Sequence, residues 1–222
     1  MLALVSDHPF AVPAGAAEAL LTALDREGKI DRALEALGPL SGRDVVAVDP
    51  GPAQSARWTA AGARLSPVPD LRNGTARDLS DASADAIVAT WSAFRGVDTD
   101  ELAVADRILR PGGRLLVVHD YGRDDISRLR GDQPEYGTWS RRDGPFLRNG
   151  FRVRVIHCFW TFDDVAAARS TARDLFGSSA GPIVDELKRP RLSWNVAIYH
   201  RTTGSDRGEA APGLPARPRR GD

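Results

Sequence analysis

Three short, unbroken apolar runs, each closed by a polar or turn-forming residue, constrain this chain more than any other feature. They are Val45-Val46-Ala47-Val48 before Asp49-Pro50-Gly51, Ala86-Ile87-Val88-Ala89 within 84–90, and Leu115-Leu116-Val117-Val118 before His119-Asp120-Tyr121. A strand with one wet face alternates; a strand that is apolar throughout is buried on both faces, as in the middle of a parallel sheet. The stretches between these runs carry helical spacing instead. Ile30, Ala33, Leu34 and Leu37 repeat at i, i+3, i+4 and i+7, and Gly38 supplies a stop. Leu102, Ala105, Ile108 and Leu109 fall on one side of a helix over 98–109, with Thr99 as its cap. A lead-in helix over 13–24 places Leu20, Leu21 and Leu24 on one face, with Pro13 in its first turn. The stretch 54–61 is helix-compatible and 63–68 reads as a weak strand. Pro111-Gly112-Gly113 reads as a helix stop and a turn that needs positive φ. Further on, 151–156 alternates like an edge or antiparallel strand, helices are expected over 162–176 and 183–187, and 194–199 is a last strand. Strand–helix–strand repetition around buried strands predicts a doubly wound, mostly parallel α/β sheet with helices on both faces.

The 222 residues suit one domain, expected over 1–201 with a helical lead-in at about 13–38. From 202 to 222 the chain holds no Val, Ile, Phe, Trp or Tyr and a single Leu, so a disordered tail is expected. Thirty basic and 30 acidic side chains cancel. With no net field to draw in a polyanion, the expected partner is a small molecule rather than nucleic acid or a membrane. The oligomeric state is not legible. Cys158 is the only cysteine, which excludes an internal disulfide and a thiolate metal cluster. Four scattered histidines lack ligand spacing, so no metal is expected. No apolar run reaches the roughly 18 residues of a membrane span, and the N-terminus does not read as a signal peptide. The expectation is a soluble, cytoplasmic protein.

In a doubly wound sheet, ligands bind beyond the carboxyl ends of the strands. That rule selects Asp49, Pro50, Gly51, Pro52 and Ala53 after the first strand. It also selects Thr90, Trp91 and Ser92 after the second run, and His119, Asp120 and Tyr121 after the third. The same residues suit ordinary turns, and both readings stay open.

These residues also carry a family resemblance. The segment 78–119 resembles the class I S-adenosylmethionine-dependent methyltransferases, whose fold is Rossmann-like. It opens with Asp78-Leu79, a polar loop, Asp85 and a buried strand, and it passes through the helix ending Arg107-Ile108-Leu109-Arg110-Pro111-Gly112-Gly113 before a hydrophobic strand. A weaker likeness covers 37–51, and the whole spans roughly 30–125. The resemblance implies S-adenosylmethionine as cofactor, held by Asp49, Pro50, Gly51, Ala53, Asp70, Asp78, Leu79, Thr90 and Trp91. It implies an acceptor near His119, Asp120 and Tyr121.

Two departures stand out. The family's first loop carries Gly-x-Gly, which lets backbone approach the methionine end of the cofactor. No two glycines in this chain are spaced i, i+2, and the loop reads Asp49-Pro50-Gly51-Pro52-Ala53. Only 35 residues separate Asp49 from Asp85, where two helices, two strands and their connections would take on the order of 45. One strand–helix unit is therefore expected to be missing or reduced. In the preferred register 45–48 is the first strand and Asp70 the acid for the ribose hydroxyls; in the other, Asp49 is that acid.

Methyl transfer from a sulfonium asks the protein to orient the acceptor, exclude water and sometimes take a proton. His119 is either that base or a loop histidine satisfied by Asp120, and Trp91 either stacks on a ring or packs. Asp120, Asp124 and Asp125 read as salt-bridged surface, Cys158 as core or pocket wall, and 137–145 as a lid. Two functions follow: a methyltransferase acting on a small molecule, or an inactive methyltransferase-like scaffold that has lost its cofactor.

Overall fold

In the computed structural model, which describes residues 7–204 apart from 73, 132 and 134, the three apolar runs form the middle of one sheet. The elements in chain order are α1 (Ala14–Ala23), α2 (Lys29–Leu37), β1 (Asp44–Val48), α3 (Pro52–Ala60), β2 (Arg64–Val68), α4 (Gly74–Arg77), β3 (Ala84–Thr90) and α5 (Thr99–Ile108). They continue with β4 (Leu109–Asp120), α6 (Asp125–Arg130), α7 (Pro145–Arg148), β5 (Arg152–Thr161), α8 (Val165–Phe176), α9 (Gly181–Val184) and β6 (Arg191–Thr202). The six strands lie in the order β2-β1-β3-β4-β6-β5. Neighbours from β2 to β4 run parallel, and β6 is antiparallel to both β4 and β5. From β1 the chain moves out to β2 and then returns past β1 to β3. The sheet therefore reverses its winding between β1 and β3, where a doubly wound fold opens its crevice.

Alternation within each strand splits the core in two. Val45, Ala47, Ala86, Val88, Leu116 and Val118 meet α1, α2, α8 and Trp58 of α3. Val46, Val48, Ile87, Ala89, Leu115 and Val117 meet Ala76 of α4, α5 and Phe146 of α7. Ile87, Leu115 and Leu116 are fully buried, and each such side chain contributes roughly 1.5–3 kcal/mol. The continuity of the runs thus reflects burial on both faces.

Between β1 and β3 stand one full helix, one strand and the four-residue α4. One strand is absent and its helix is reduced to α4, which leaves β2 an edge of the sheet. Pro67 sits exposed on that edge, where a proline's lack of an N–H is tolerated.

Several expectations are corrected. Pro111-Gly112-Gly113 is not a separate turn: β4 already begins at Leu109, which pairs with Ala84 before the register shifts to Ala86↔Arg114. Gly112, at φ 81, makes that irregularity possible, and it stays tied to the sheet because its N–H donates to Thr203 O at 3.0 Å. Asp98 rather than Thr99 caps α5, accepting the N–H of Asp100. Helix α8 starts at Val165 because Asp164 caps it, accepting the N–H of Ala167. Strand β5 reaches Thr161, so Cys158 lies inside it, and β6 reaches Thr202, the first residue of the expected tail. Residues 205–222 of that tail lie outside the described residues. Among the described residues no helix is long and apolar enough to cross a membrane.

Candidate functional site

The backbone beyond β1 and β3 is strained. Asp49 (φ 45°), Trp91 (φ 56°), Phe94 (φ 58°) and Val97 (φ 59°) all occupy the left-handed region without being glycine. Each such residue costs of order 1–3 kcal/mol and persists only where its surroundings hold it. Here they do. The Asp49 N–H donates to Val68 O (2.6 Å) and the backbone N–H of Trp91 to Val118 O (2.9 Å). The Ser92 hydroxyl donates to Val48 O at 2.7 Å. The Phe94 N–H donates to the carboxylate of Glu101 at 3.0 Å, a buried acid whose pKa burial raises.

Next to this strained edge is the start of α3. Gly51 is its N-cap and Pro52 opens its first turn. The N–H groups of Ala53 and Gln54 point out of the helix and donate to the two oxygens of Asp7, each at 3.1 Å. A Cβ built on Gly51 would stand 2.0 Å from the Asp7 carboxyl carbon, so only a glycine there leaves room for a carboxylate. A helix start is a natural anion cradle, since its first N–H groups lack partners and its dipole is positive. Behind it the buried Thr90 hydroxyl donates to Gln54 Oε1 at 2.6 Å, tying the end of β3 to α3.

The structure thus brings Asp49, Pro50, Gly51, Ala53, Thr90 and Trp91 to one edge. Asp70 follows β2 on the same edge, its carboxylate accepting the N–H of Arg72 at 2.8 Å. Asp78 and Leu79 do not join them. They line a hollow with Asp44 and Ala84, at the amino ends of β1 and β3, and Arg107 donates to Leu79 O at 2.6 Å. Because α4 is so short, the chain has already returned to the far end of the sheet by residue 78.

The three residues expected near the acceptor divide as well. His119 is 1% exposed. Its Nε2 hydrogen bonds the Ala93 carbonyl at 3.0 Å, and its ring meets Trp139 edge-on at 4.9 Å. Burial drives its pKa down to about 3. It is a neutral core histidine, satisfied by Ala93 rather than by Asp120. Asp120 points to the opposite face, 2% exposed. Its Oδ1 accepts the indole N–H groups of Trp91 (3.2 Å) and Trp194 (3.1 Å), and Oδ2 pairs with Arg130. Burial pushes this carboxyl up to about 6 against the pull of Arg130. Tyr121 remains half-buried, with the Arg123 guanidinium over its ring.

Other expectations shift too. Trp91 packs: it stacks on Trp194 at 5.7 Å. Asp124 is the cap of α6 rather than a surface ion pair, whereas Asp125 does pair with Arg128, at 3.6 Å, and also accepts from Ser193. Trp139 is buried against His119, which anchors the supposed lid 137–145 in the core. The Cys158 thiol is buried and pushed up to about 12, consistent with core. Among the described residues no group of three His, Cys, Asp or Glu could hold a metal ion.

Under the Asp7–α3 contact lies a cavity of about 280 Å³, bounded by Asp7, Gln54, Thr90, Trp91, Trp194 and the inner faces of α1 and α2. Sequence reasoning missed Asp7 and Gln54. Gln54 left a trace, being a polar residue four before Trp58 on the buried face of α3. Asp7 left none.

Residues 27–117, which run from the start of α2 to near the end of β4, match the family model described as a methyltransferase domain. Over those residues the chain is similar to that domain. Solved structures similar to this chain include a type II methyltransferase structure from Anaeromyxobacter dehalogenans (19% identity, 78% of this chain and 95% of that one, TM-score 0.48). Another is a methyltransferase from Geobacter sulfurreducens in complex with S-adenosyl-L-homocysteine (16%, 85% and 98%, 0.44). A third is a methyltransferase complexed with the Trm112 activator of Haloferax volcanii (18%, 83% and 94%, 0.44). These likenesses are distant. No curated protein matches the chain.

Proposed function

We propose that this methyltransferase domain binds S-adenosylmethionine at the β1/β3 crevice and methylates a small-molecule acceptor. The observation that carries the reading is the α3 cradle. Two backbone N–H groups beside Gly51 donate to a carboxylate there, and the cofactor's methionine end bears one. The donor chemistry fits, although a single glycine stands where the family has two. Ala53 and Gln54 would hold the carboxylate, and Asp70, with Asp49 nearby, would meet the ribose hydroxyls. When bound, the cofactor supplies an electrophilic methyl on a sulfonium.

The chain's own part is orientation and exclusion of water. His119 is sealed in the core and Asp120 is committed to two indoles and Arg130, so neither takes a proton from an acceptor. Asp120 acts instead as a positioning residue that fixes the Trp91–Trp194 wall of the cavity. Near-attack geometry of this kind supplies several kcal/mol of barrier lowering without a base. The cavity's size and aromatic wall, and the zero net charge, favour a small organic acceptor and a cytoplasmic setting. The inactive-scaffold reading has no support from the domain match.

Calorimetric titration with S-adenosylmethionine and with S-adenosylhomocysteine tests the proposal. One-to-one binding is expected, together with about 2.7 kcal/mol of stabilisation at a hundredfold excess over Kd. An absence of heat and of thermal shift at millimolar ligand would overturn it.

A further inference from the structure

We propose that the segment 7–12 is a self-inhibiting strap, in which the Asp7 carboxylate occupies the place of the cofactor's own carboxylate. The inference rests on the cofactor reading above and names the regulation of that same site.

The strap crosses the carboxyl edge of the sheet ahead of α1 and is fastened at three points. Asp7 lies on the N–H groups of Ala53 and Gln54, both at 3.1 Å, and is 8% exposed. His8 Nε2 bonds the Ala17 carbonyl at 3.0 Å. Phe10 packs 6.0 Å from the Trp160 ring and 5.7 Å from Phe176, with the Arg130 guanidinium over its face at 4.7 Å. Val12 is fully buried. Only the first of these contacts touches the cradle, so Asp7 can leave while Phe10 and Val12 stay seated.

Two N–H groups cannot serve two carboxylates, and like charges side by side repel. The missing Cβ of Gly51 makes the contact specific to that spot. Asp7 also walls the 280 Å³ cavity, so its withdrawal opens the cradle and the cavity together. A strap closed nine-tenths of the time weakens apparent cofactor affinity about tenfold, because only the open fraction is competent.

Two ligands separate the strap from mere covering. S-adenosylhomocysteine carries the amino-acid carboxylate; 5′-methylthioadenosine shares its adenosine and sulfur but lacks that group. In calorimetry on the full chain, Asp7→Ala should tighten S-adenosylhomocysteine about tenfold and leave 5′-methylthioadenosine unchanged. Asp7→Asn, which keeps an acceptor for α3 but removes the charge, should shift the same ligand in the same direction and covers the case in which the alanine variant fails to fold. Equal tightening of both ligands, unchanged affinities, or weaker binding of S-adenosylhomocysteine each overturns the strap while leaving the cofactor reading intact. Failure of the parent and both variants to bind either ligand overturns the cofactor reading, and the strap with it.

Discussion

His119 and Asp120 are sequence neighbours that face opposite layers of the core, and their ionisation pulls stability in opposite directions. Burial holds His119 neutral down to about 3, against an ordinary value of 6.5. Between those values the unfolded chain binds a proton that the folded one refuses, so stability is lost as pH falls below 6.5. Asp120 is raised from 3.8 to about 6. In that window the folded protein holds the extra proton, and stability is gained as pH falls. Comparing His119→Gln with the parent removes the first effect alone. The parent's advantage over the variant should shrink steadily from pH 7 to pH 4 in urea titrations. A constant difference across that range would mean that the ring is not shielded as described. The face of His119 could have been read from the sequence: counting by twos back along β4 leads to Val117 and Leu115, both buried against α5.

At the scale of elements, the loop between β3 and α5 depends on Glu101. This buried side chain on α5 reaches back to the N–H of Phe94 inside the strained stretch. Glu101→Ala would leave that N–H buried and unpaired and should cost about 1–3 kcal/mol by urea denaturation. Glu101→Gln, which still offers an oxygen, should recover most of the loss, and equal losses would show that charge rather than the hydrogen bond matters. The strands themselves were legible, because 45–48, 84–90 and 114–118 could only be buried on both faces. The shortfall between Asp49 and Asp85 foretold the absent unit. Less legible were features made by contacts distant in sequence. Pro111-Gly112-Gly113 has the composition of a turn, yet it is tied into the sheet by bonds with Thr203 and by the pairing of Leu109 and Arg114 on either side. Asp78 and Leu79 were assigned by likeness to the cofactor edge, yet the shortened connection carries them to the other end. Asp7 meets α3 across more than forty residues of chain, with no local pattern to announce it.

For the molecule as a whole, the strand order makes the last strand indispensable. Strand β6 lies between β4 and β5, bonded along both sides, and it brings Trp194 to the wall of the cavity. A chain ended after Lys188 should lose cooperative thermal unfolding and collect in the insoluble fraction; a soluble, cooperatively melting product would contradict this account of the sheet. The same arrangement bears on how the protein is made. On a translating ribosome β1 to β4 emerge first and can zip up in order, since β2, β3 and β4 each find a neighbour already present. Strand β5 has no earlier strand beside it, only the single bridge of Leu24 to Trp160. At about 5–20 residues per second, it must wait a few seconds with most of its ladder groups open until β6 arrives and fits between two strands already synthesised. During that interval the nascent chain presents a largely unpaired strand carrying Phe159. Its need for a chaperone should therefore peak late in synthesis, just before the final strand leaves the exit tunnel.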